Sequence, residues 1–169
     1  MPRPPRSIVV IAHNLRSSHN VGSLLRTAEG LGVTRVVLSG YTPHPHRADD
    51  SRLPHIAKKI HAQIAKTALG AETSQAWSYK PDIAVVIAQL RSDGYQIYAL
   101  EQASDSINLP DFEPPEHFAL ILGREVEGVE DSVLALCDGA LEIPMLGSKE
   151  SFNVVQAAAM ALYHCTFIA

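Results

Sequence analysis

Cysteine is scarce in this sequence, which has Cys137 and Cys165 and no others among its 169 residues. Two cysteines are too few for a disulfide framework or a paired-cysteine metal site. No apolar run reaches the roughly 18 residues that a membrane-spanning helix needs, so we expect no membrane span. The basic start leads into a short apolar stretch without a small-residue cleavage site. We therefore expect no signal peptide and a cytoplasmic location.

Internal repeats, linkers and low-complexity tracts are also absent from the sequence. Apolar residues make up 46% of the chain and charged residues 19%, which is ordinary for a globular protein. A chain of this length fits one domain with a full hydrophobic core. We expect a single domain over residues 1–169.

The net charge of −4 hides an uneven distribution. Residues 1–70 carry ten Lys and Arg against three Asp and Glu, a net charge of +7. Residues 71–169 carry four Lys and Arg against fifteen Asp and Glu, a net charge of −11. This asymmetry predicts that the first half meets a polyanion, although a solvated basic face would give the same pattern.

Short apolar runs alternate with amphipathic segments along the chain. Strands are predicted at 7–12, 35–39, 96–100, 118–122 and 140–143, with a weaker one at 74–79. Helices are predicted at 19–31, 53–66, 81–93, 130–137 and 152–167. This alternation is typical of an α/β fold with a parallel sheet and helices on both of its faces.

The last predicted helix, 152–167, is apolar on nearly all sides and rich in alanine. A terminal helix without a polar face is usually covered by something. A second subunit would cover it, and so would deep burial within one chain. We favour the second subunit.

Residues 19–32 predict an amphipathic helix with Asn20, Gly22 and Arg26 on its polar face. Gly22 lies one turn before Arg26, where glycine costs about 1 kcal/mol relative to alanine. We therefore expect another group to approach the backbone beside Arg26. Glu29 is placed to pair with the guanidinium. An ordinary helix with a surface ion pair is the alternative.

Residues 120–131 predict a buried strand that runs into Gly123, followed by Glu125 and Gly128. Open α/β sheets bind ligands at the carboxyl ends of their strands, and a glycine there leaves room for a ligand against the backbone. The spacing matches neither a dinucleotide-binding glycine motif nor a P-loop. A plain strand-to-helix turn is the alternative.

Residues 142–159 predict a strand that ends at Pro144 and a loop that leads to Ser151 and Asn153. We predict Ser151 as the N-cap of the last helix. Asn153 then falls in the first helical turn, where it is free to bond a substrate or the loop that carries Glu125.

Together, the three segments resemble the motifs of the SpoU (TrmH) family of RNA 2′-O-methyltransferases in the SPOUT superfamily, over nearly the whole chain. The first motif is matched by Asn20, Gly22, Arg26, Thr27, Ala28, Glu29 and Gly32. The second is matched by Leu122, Gly123, Glu125 and Gly128. The third is matched by Ile143, Pro144, Met145, Gly147, Ser151, Asn153 and Val154.

The resemblance implies a SPOUT fold with a deep trefoil knot in the C-terminal half of the sheet. It also implies that S-adenosylmethionine is bound in the knot loops. The residues that it assigns to this cofactor are Leu100, Gly123, Ile143, Met145 and Phe152. It further implies an obligatory homodimer in which Arg26 reaches the site of the other subunit. A bulky residue in place of Gly123 is expected to abolish cofactor binding.

The activity that the resemblance implies is methyl transfer to a ribose 2′-hydroxyl of RNA. Because the sulfonium methyl is already activated, the protein has to hold the 2′-oxygen in line with it. A guanidinium has a pKa above about 12 and is a poor base, so we expect Arg26 to orient the oxygen and stabilise the developing alkoxide. Positioning roles are expected for Asn20, Glu125, Ser151 and Asn153.

RNA is thus the expected partner, with transfer RNA favoured over ribosomal RNA. Two alternatives stay open, a non-catalytic RNA-binding dimer on the same fold and an enzyme that methylates a base. Histidines at 44, 46, 55 and 61 are a weak metal signal, because zinc ligands usually occur in closely spaced pairs. We expect no metal.

Overall fold

The computed structural model describes residues 5–169 and has a seven-stranded sheet in which every strand pair is parallel. The strands are β1 Ser7–His13, β2 Arg35–Ser39, β3 Trp77–Lys80, β4 Gln96–Leu100, β5 Ile107–Asn108, β6 His117–Leu122 and β7 Gly139–Glu142. Their order across the sheet is β3-β2-β1-β6-β4-β7-β5. The predicted α/β class with a parallel sheet is confirmed.

The described residues form six α-helices, five of which lie between strands, while the sixth follows β7. They are α1 Ser18–Gly30, α2 Pro54–Ala68, α3 Ala71–Ser74, α4 Ile83–Ser92, α5 Asp131–Leu134 and α6 Val154–Tyr163. The prediction missed α3 and β5, which are too short to show a periodic pattern, and made α5 too long. No helix within residues 5–169 has the length and apolar character needed to cross a membrane.

The core has two layers, one on each face of the sheet. Alternate residues of β1 enter different layers because side chains alternate along a strand. Val10 packs with α1, α2 and α6 in the first layer, whereas Ile11 packs with α4 and α5 in the second. The prediction of helices on both faces is therefore confirmed. Because both faces of the sheet are covered, β1 and β6 are continuous apolar runs.

Strand β7 lies between β4 and β5, both of which precede it in the chain. Leu100 at the end of β4 and Ile107 at the start of β5 both pair with Leu141 of β7. Residues 101–106 therefore carry the chain from one side of β7 to the other. This earlier connection therefore spans the width of β7.

Helices α1 and α2 are in close contact at Gly22. A Cβ atom at this position would overlap the Thr67 Oγ1 atom and the Ile64 carbonyl oxygen of α2. The Thr67 hydroxyl also donates to the His19 carbonyl at 2.8 Å. The group that approaches the backbone beside Arg26 is therefore a neighbouring helix, and the missing side chain permits that contact.

Gly22→Ala is expected to lower the free energy of unfolding by about 1–3 kcal/mol, the usual cost of overpacking, although alanine is the better helix former. Gly30 of the same helix is the matched control, because a Cβ atom there meets nothing within 4 Å. Gly30→Ala should leave the stability unchanged or raise it. Urea unfolding compares the two variants, and a fully stable Gly22→Ala would contradict the packing argument.

Candidate active site

A cavity of about 260 Å³ opens where β4, β6 and β7 end. The carboxyl ends of parallel strands meet at one edge of the sheet, so the loops that follow these strands share its walls. All five residues expected to bind the cofactor line it, namely Leu100, Gly123, Ile143, Met145 and Phe152. Glu125 and Ser151 from the predicted catalytic set line it as well.

The charge of this cavity was not anticipated from the sequence. Its wall contains five glutamates, Glu101, Glu125, Glu127, Glu142 and Glu150. The one basic residue in the same wall is Arg124. We call this space the glutamate-lined cavity. Its potential favours a ligand with positive charge, while its leucine, isoleucine and methionine side chains suit an apolar or aromatic group.

Gly123 has a different structural role from the one expected. A Cβ atom at Gly123 would overlap the backbone of Gly128 and Val129. Residues 124–128 fold back on themselves, with the amides and carbonyls of Arg124 and Gly128 bonded to each other at 3.0 Å. The expectation that a larger residue at Gly123 would simply fill ligand space is therefore wrong, because the side chain would first disrupt this turn.

Glu101 is a site residue that no sequence motif identified. Its carboxylate accepts hydrogen bonds from the Val129 amide at 2.8 Å and the Gln102 amide at 2.9 Å. Gly128, with a φ angle of +72°, leaves the room that this carboxylate occupies. Glu101 therefore ties the loop after β4 to the loop after β6.

Glu125 joins the first motif to the second. Its carboxylate accepts hydrogen bonds from the Arg16 and Ser17 amides at 3.1 and 3.0 Å, and from the Asn20 side chain at 3.3 Å. Burial raises the pKa of Glu125, but these hydrogen bonds outweigh it and hold the pKa below its ordinary value. Glu125 is therefore an anion at neutral pH, fixed at the start of α1. The structure thus brings together Glu125 and Asn20, two members of the predicted catalytic set.

Asn153, and not Ser151, caps helix α6. The Asn153 side chain accepts hydrogen bonds from the Val155 amide at 2.9 Å and the Gln156 amide at 3.4 Å. Its amide group donates to the Asn20 side chain at 3.4 Å. The N-cap prediction for Ser151 is wrong because α6 begins at Val154. One amide side chain thus caps a helix and continues a chain of contacts through Asn20 to Glu125.

Arg26 lies away from the glutamate-lined cavity of its own chain. It is exposed on the outer face of α1, beside Met160 and Tyr163 of α6. Within residues 5–169 its guanidinium makes no ion pair, so the expected pair with Glu29 does not form. Helix α6 buries Leu162 but leaves Tyr163 exposed, as is Phe167 in the π-helical turn that follows.

The model of the SpoU rRNA methylase family matches residues 7–163. The chain belongs to the SpoU rRNA methylase family. That match covers β1 through α6 and so includes all three motifs and the cavity that they build.

Two curated relatives of this SpoU family chain are similar over most of its length. It is 29% identical over 159 residues to the tRNA (guanosine(18)-2′-O)-methyltransferase of Thermus thermophilus, covering 92% of this chain and 72% of that protein. It is 28% identical over 158 residues to the 23S rRNA (guanosine-2′-O-)-methyltransferase RlmB of Xanthomonas axonopodis pv. citri. That match covers 94% of this chain and 57% of the relative.

Among solved structures, the chain is similar to the SpoU methyltransferase AviRb from Streptomyces viridochromogenes in complex with the cofactor AdoMet. The TM-score is 0.79 at 21% sequence identity, covering 97% of this chain and 58% of that chain. The two chains therefore share the SPOUT methyltransferase fold.

The histidines that the sequence analysis named make separate contacts. His44 stacks on Tyr79 with ring centroids 4.4 Å apart, and His61 accepts a hydrogen bond from the His46 amide at 3.2 Å. Across the part of the chain that the structure describes, no three His, Cys, Asp or Glu side chains are grouped so as to hold a metal ion.

Asn153→Ala is expected to lower the free energy of unfolding by about 1 kcal/mol, as is typical of a lost N-cap. Ser151→Ala is the matched control and should have little effect, because Ser151 is exposed and caps no helix. Asn153→Ser should regain most of the stability but not the contact with Asn20. Thermal unfolding measures all three, and a larger loss for Ser151→Ala would contradict the assignment.

Proposed function

We propose that this chain transfers a methyl group from S-adenosylmethionine to a ribose 2′-hydroxyl of RNA. The observation that carries the proposal is the glutamate-lined cavity. All five positions expected to bind the cofactor line this cavity, and the side chains of Asn20 and Asn153 reach its edge through Glu125. Membership of the SpoU family and the names of both relatives support the same reaction.

The cavity fits the proposed cofactor in chemical terms. S-adenosylmethionine carries a sulfonium and an ammonium group, and the five glutamates in the wall favour positive charge. Its adenine needs an apolar slot, which Leu100, Ile143 and Phe152 provide. When bound, it supplies an activated methyl group.

The residues of this chain would bind and orient the substrates. Glu125 is held as an anion by the start of α1 and therefore serves as a fixed acceptor for Asn20, not as a proton donor. Asn20 and Asn153 present amide groups to a nucleotide at the cavity edge. Arg26 orients the 2′-oxygen and stabilises its developing charge, because a guanidinium is too weak an acid to exist as a free base at neutral pH.

We further propose a deep trefoil knot in the C-terminal half of the sheet. The path of residues 101–106 supports it, since this connection leads from β4 on one side of β7 to β5 on the other, as a loop around β7 would require. Two contacts connect the enclosing and the enclosed segments. The Gln102 side chain donates to the Glu150 carbonyl at 2.9 Å, and Ser106 bonds Glu142.

We propose a homodimer that shares its two active sites, built from the single domain of residues 1–169. Exposed aromatic side chains at the end of the chain, Tyr163 and Phe167, form an apolar face next to Arg26. Exposed apolar patches of this kind mark interaction surfaces. A partner on this face would bring Arg26 toward the cavity of that partner.

We favour transfer RNA as the substrate, because the chain spans 72% of the relative named as a tRNA methyltransferase and 57% of the relative named for 23S rRNA. Ribosomal RNA is the alternative within the same chemistry. The alternative without methyl transfer is a non-catalytic RNA-binding dimer. We place the protein in the cytoplasm, where RNA and the cofactor meet.

Incubation of the protein with methyl-labelled S-adenosylmethionine and RNA from a strain lacking this gene should label the RNA. The phosphodiester bond after the labelled nucleotide should resist alkaline hydrolysis, because a methylated 2′-oxygen cannot attack the neighbouring phosphate. The label should therefore appear in dinucleotides. Repeating the labelling reaction with separate transfer RNA and ribosomal RNA fractions identifies the substrate. Labelled RNA that alkali degrades fully to mononucleotides would indicate base methylation, and cofactor binding without labelling of either fraction would indicate a non-catalytic protein.

Mixing two inactive variants tests the shared site. Arg26→Ala should retain the fold and the cofactor affinity but lose activity by about 10²–10³-fold, as for one lost transition-state donor. Met145→Trp should fill the cavity, and calorimetry with S-adenosylhomocysteine verifies that it binds no cofactor. A mixed dimer then has one intact site, so an equal mixture should recover about a quarter of wild-type activity. No recovery despite exchanged subunits would show that each chain uses its own Arg26.

A further inference from the structure

A second cavity, of about 410 Å³, lies beside the glutamate-lined cavity. It forms where β1 and β2 end and α1 begins. Its wall includes Arg16, Ser18, Tyr41, His44, Arg52 and Tyr79. None of its lining residues in the described chain is acidic. We call it the arginine–tyrosine pocket.

The two arginines of this pocket differ in how many of their hydrogen-bond donors already have partners. Arg52 bonds both carboxylate oxygens of Asp50, at 2.8 and 2.6 Å, and donates to the His44 carbonyl at 3.0 Å. Its donors are thus largely used to hold the loop after β2. The Arg16 side chain is 68% exposed, and its ion pair with the exposed Glu127 spans 3.5 Å. An exposed pair of this kind contributes little, and the other polar partner of the guanidinium is the Tyr41 side chain of the same pocket, so the exposed Arg16 is available to an anion there.

The aromatic part of the pocket combines an exposed ring with a rigid backbone. Tyr41 is 53% exposed, and its amide donates to the Asn14 side chain at 3.0 Å. Gly40 before it has a φ angle of +63°, and Asn14 occupies the place of the missing Cβ atom. A fixed, exposed tyrosine is a suitable platform for a nucleobase, because every base has an aromatic face.

The arginine–tyrosine pocket adjoins the proposed reaction centre through the chain itself. The amides of Arg16 and Ser17 bond Glu125 in the glutamate-lined cavity. The next residue, Ser18, lines the pocket, and the side chain of Asn20, two residues further on, donates to Glu125. Beyond the pocket, α2 carries the exposed Lys58 and Lys59 directly before Ile60, which contributes to the pocket wall.

We infer that the arginine–tyrosine pocket binds a nucleotide of the RNA that neighbours the methylated one. Its base stacks on Tyr41 and its phosphate contacts Arg16. This inference rests on the proposed function, because it assigns the RNA contacts next to the proposed site of methyl transfer. The pocket can accept only a base that is not stacked within a helix. It therefore favours single-stranded loops over regular duplex as targets.

Methylation kinetics test the stacking contact, with RNA from a strain lacking this gene as acceptor. Tyr41→Ala should raise KM for RNA about tenfold, which corresponds to about 1.4 kcal/mol for one lost base–aromatic stack. The kcat at saturating RNA should stay close to that of the wild type. Tyr41→Phe keeps the ring and should retain a nearly normal KM.

Salt dependence tests the phosphate contact. A fluorescein-labelled 12-nucleotide single-stranded RNA is titrated without cofactor at several salt concentrations. Arg16→Ala should weaken binding and reduce the slope of log affinity against log salt by about 0.7, the value for one phosphate of a single strand. Arg91→Ala, which removes an arginine from α4, is the charge control and should leave the slope unchanged.

Three further measurements separate the possible failures. Affinity for S-adenosylhomocysteine and the thermal midpoint should be unchanged in the Tyr41 and Arg16 variants, since neither side chain lines the glutamate-lined cavity. If Tyr41→Ala does not fold, crosslinking of wild-type protein to 4-thiouridine RNA should still mark Tyr41 or its neighbours. Unchanged KM and salt slope, or crosslinks confined elsewhere, would overturn the inference. Absence of ribose methylation by the wild type would reject the proposed function instead, because RNA binding is measured without cofactor.

Discussion

The carboxylate of Glu125 at the start of α1 is the interaction on which the arrangement of this molecule depends. Strands β1 and β6 are neighbours in the sheet, so the loops after them meet at its carboxyl edge. The unpaired amides at a helix start favour an anion, and Glu125 occupies that position. Because Asn20 bonds Glu125 and Asn153 bonds Asn20, one charge fixes three distant segments in a common geometry.

Opposite charges lie next to each other along this edge of the sheet. The glutamates around the ends of β4, β6 and β7 suit a cationic cofactor, whereas the arginine–tyrosine pocket and the lysines of α2 suit a polyanion. The net charge of −4 averages over both. Adjacent places of opposite charge would thus attract the two substrates of the proposed reaction to neighbouring positions.

The sequence predicted the elements whose physical cause is local. The runs at 7–12 and 118–122 are continuous because both sheet faces are covered, and the motif residues show their chemistry by type and spacing. Contacts between distant segments could not be predicted from the sequence. Serine and asparagine both cap helices, so the start of α6 was assigned to Ser151 instead of Asn153. The backbone that approaches Gly123 is known only once the turn at 124–128 has formed. Glu101 and Tyr41 belong to no motif, and their roles arise from the loops that they face.

The position of β7 also imposes an order of assembly on the chain. Both of its partner strands precede it in the chain, and β5 pairs with no other strand, so β5 has no place in the sheet until residues 139–142 pair with β4. Pairings between segments far apart in sequence form slowly. Much of the wall of the glutamate-lined cavity comes from residues 141–157, so this cavity is complete only once these residues are in place. A chain arrested before that step has no place for a cofactor, and ligand affinity therefore distinguishes finished molecules from unfinished ones.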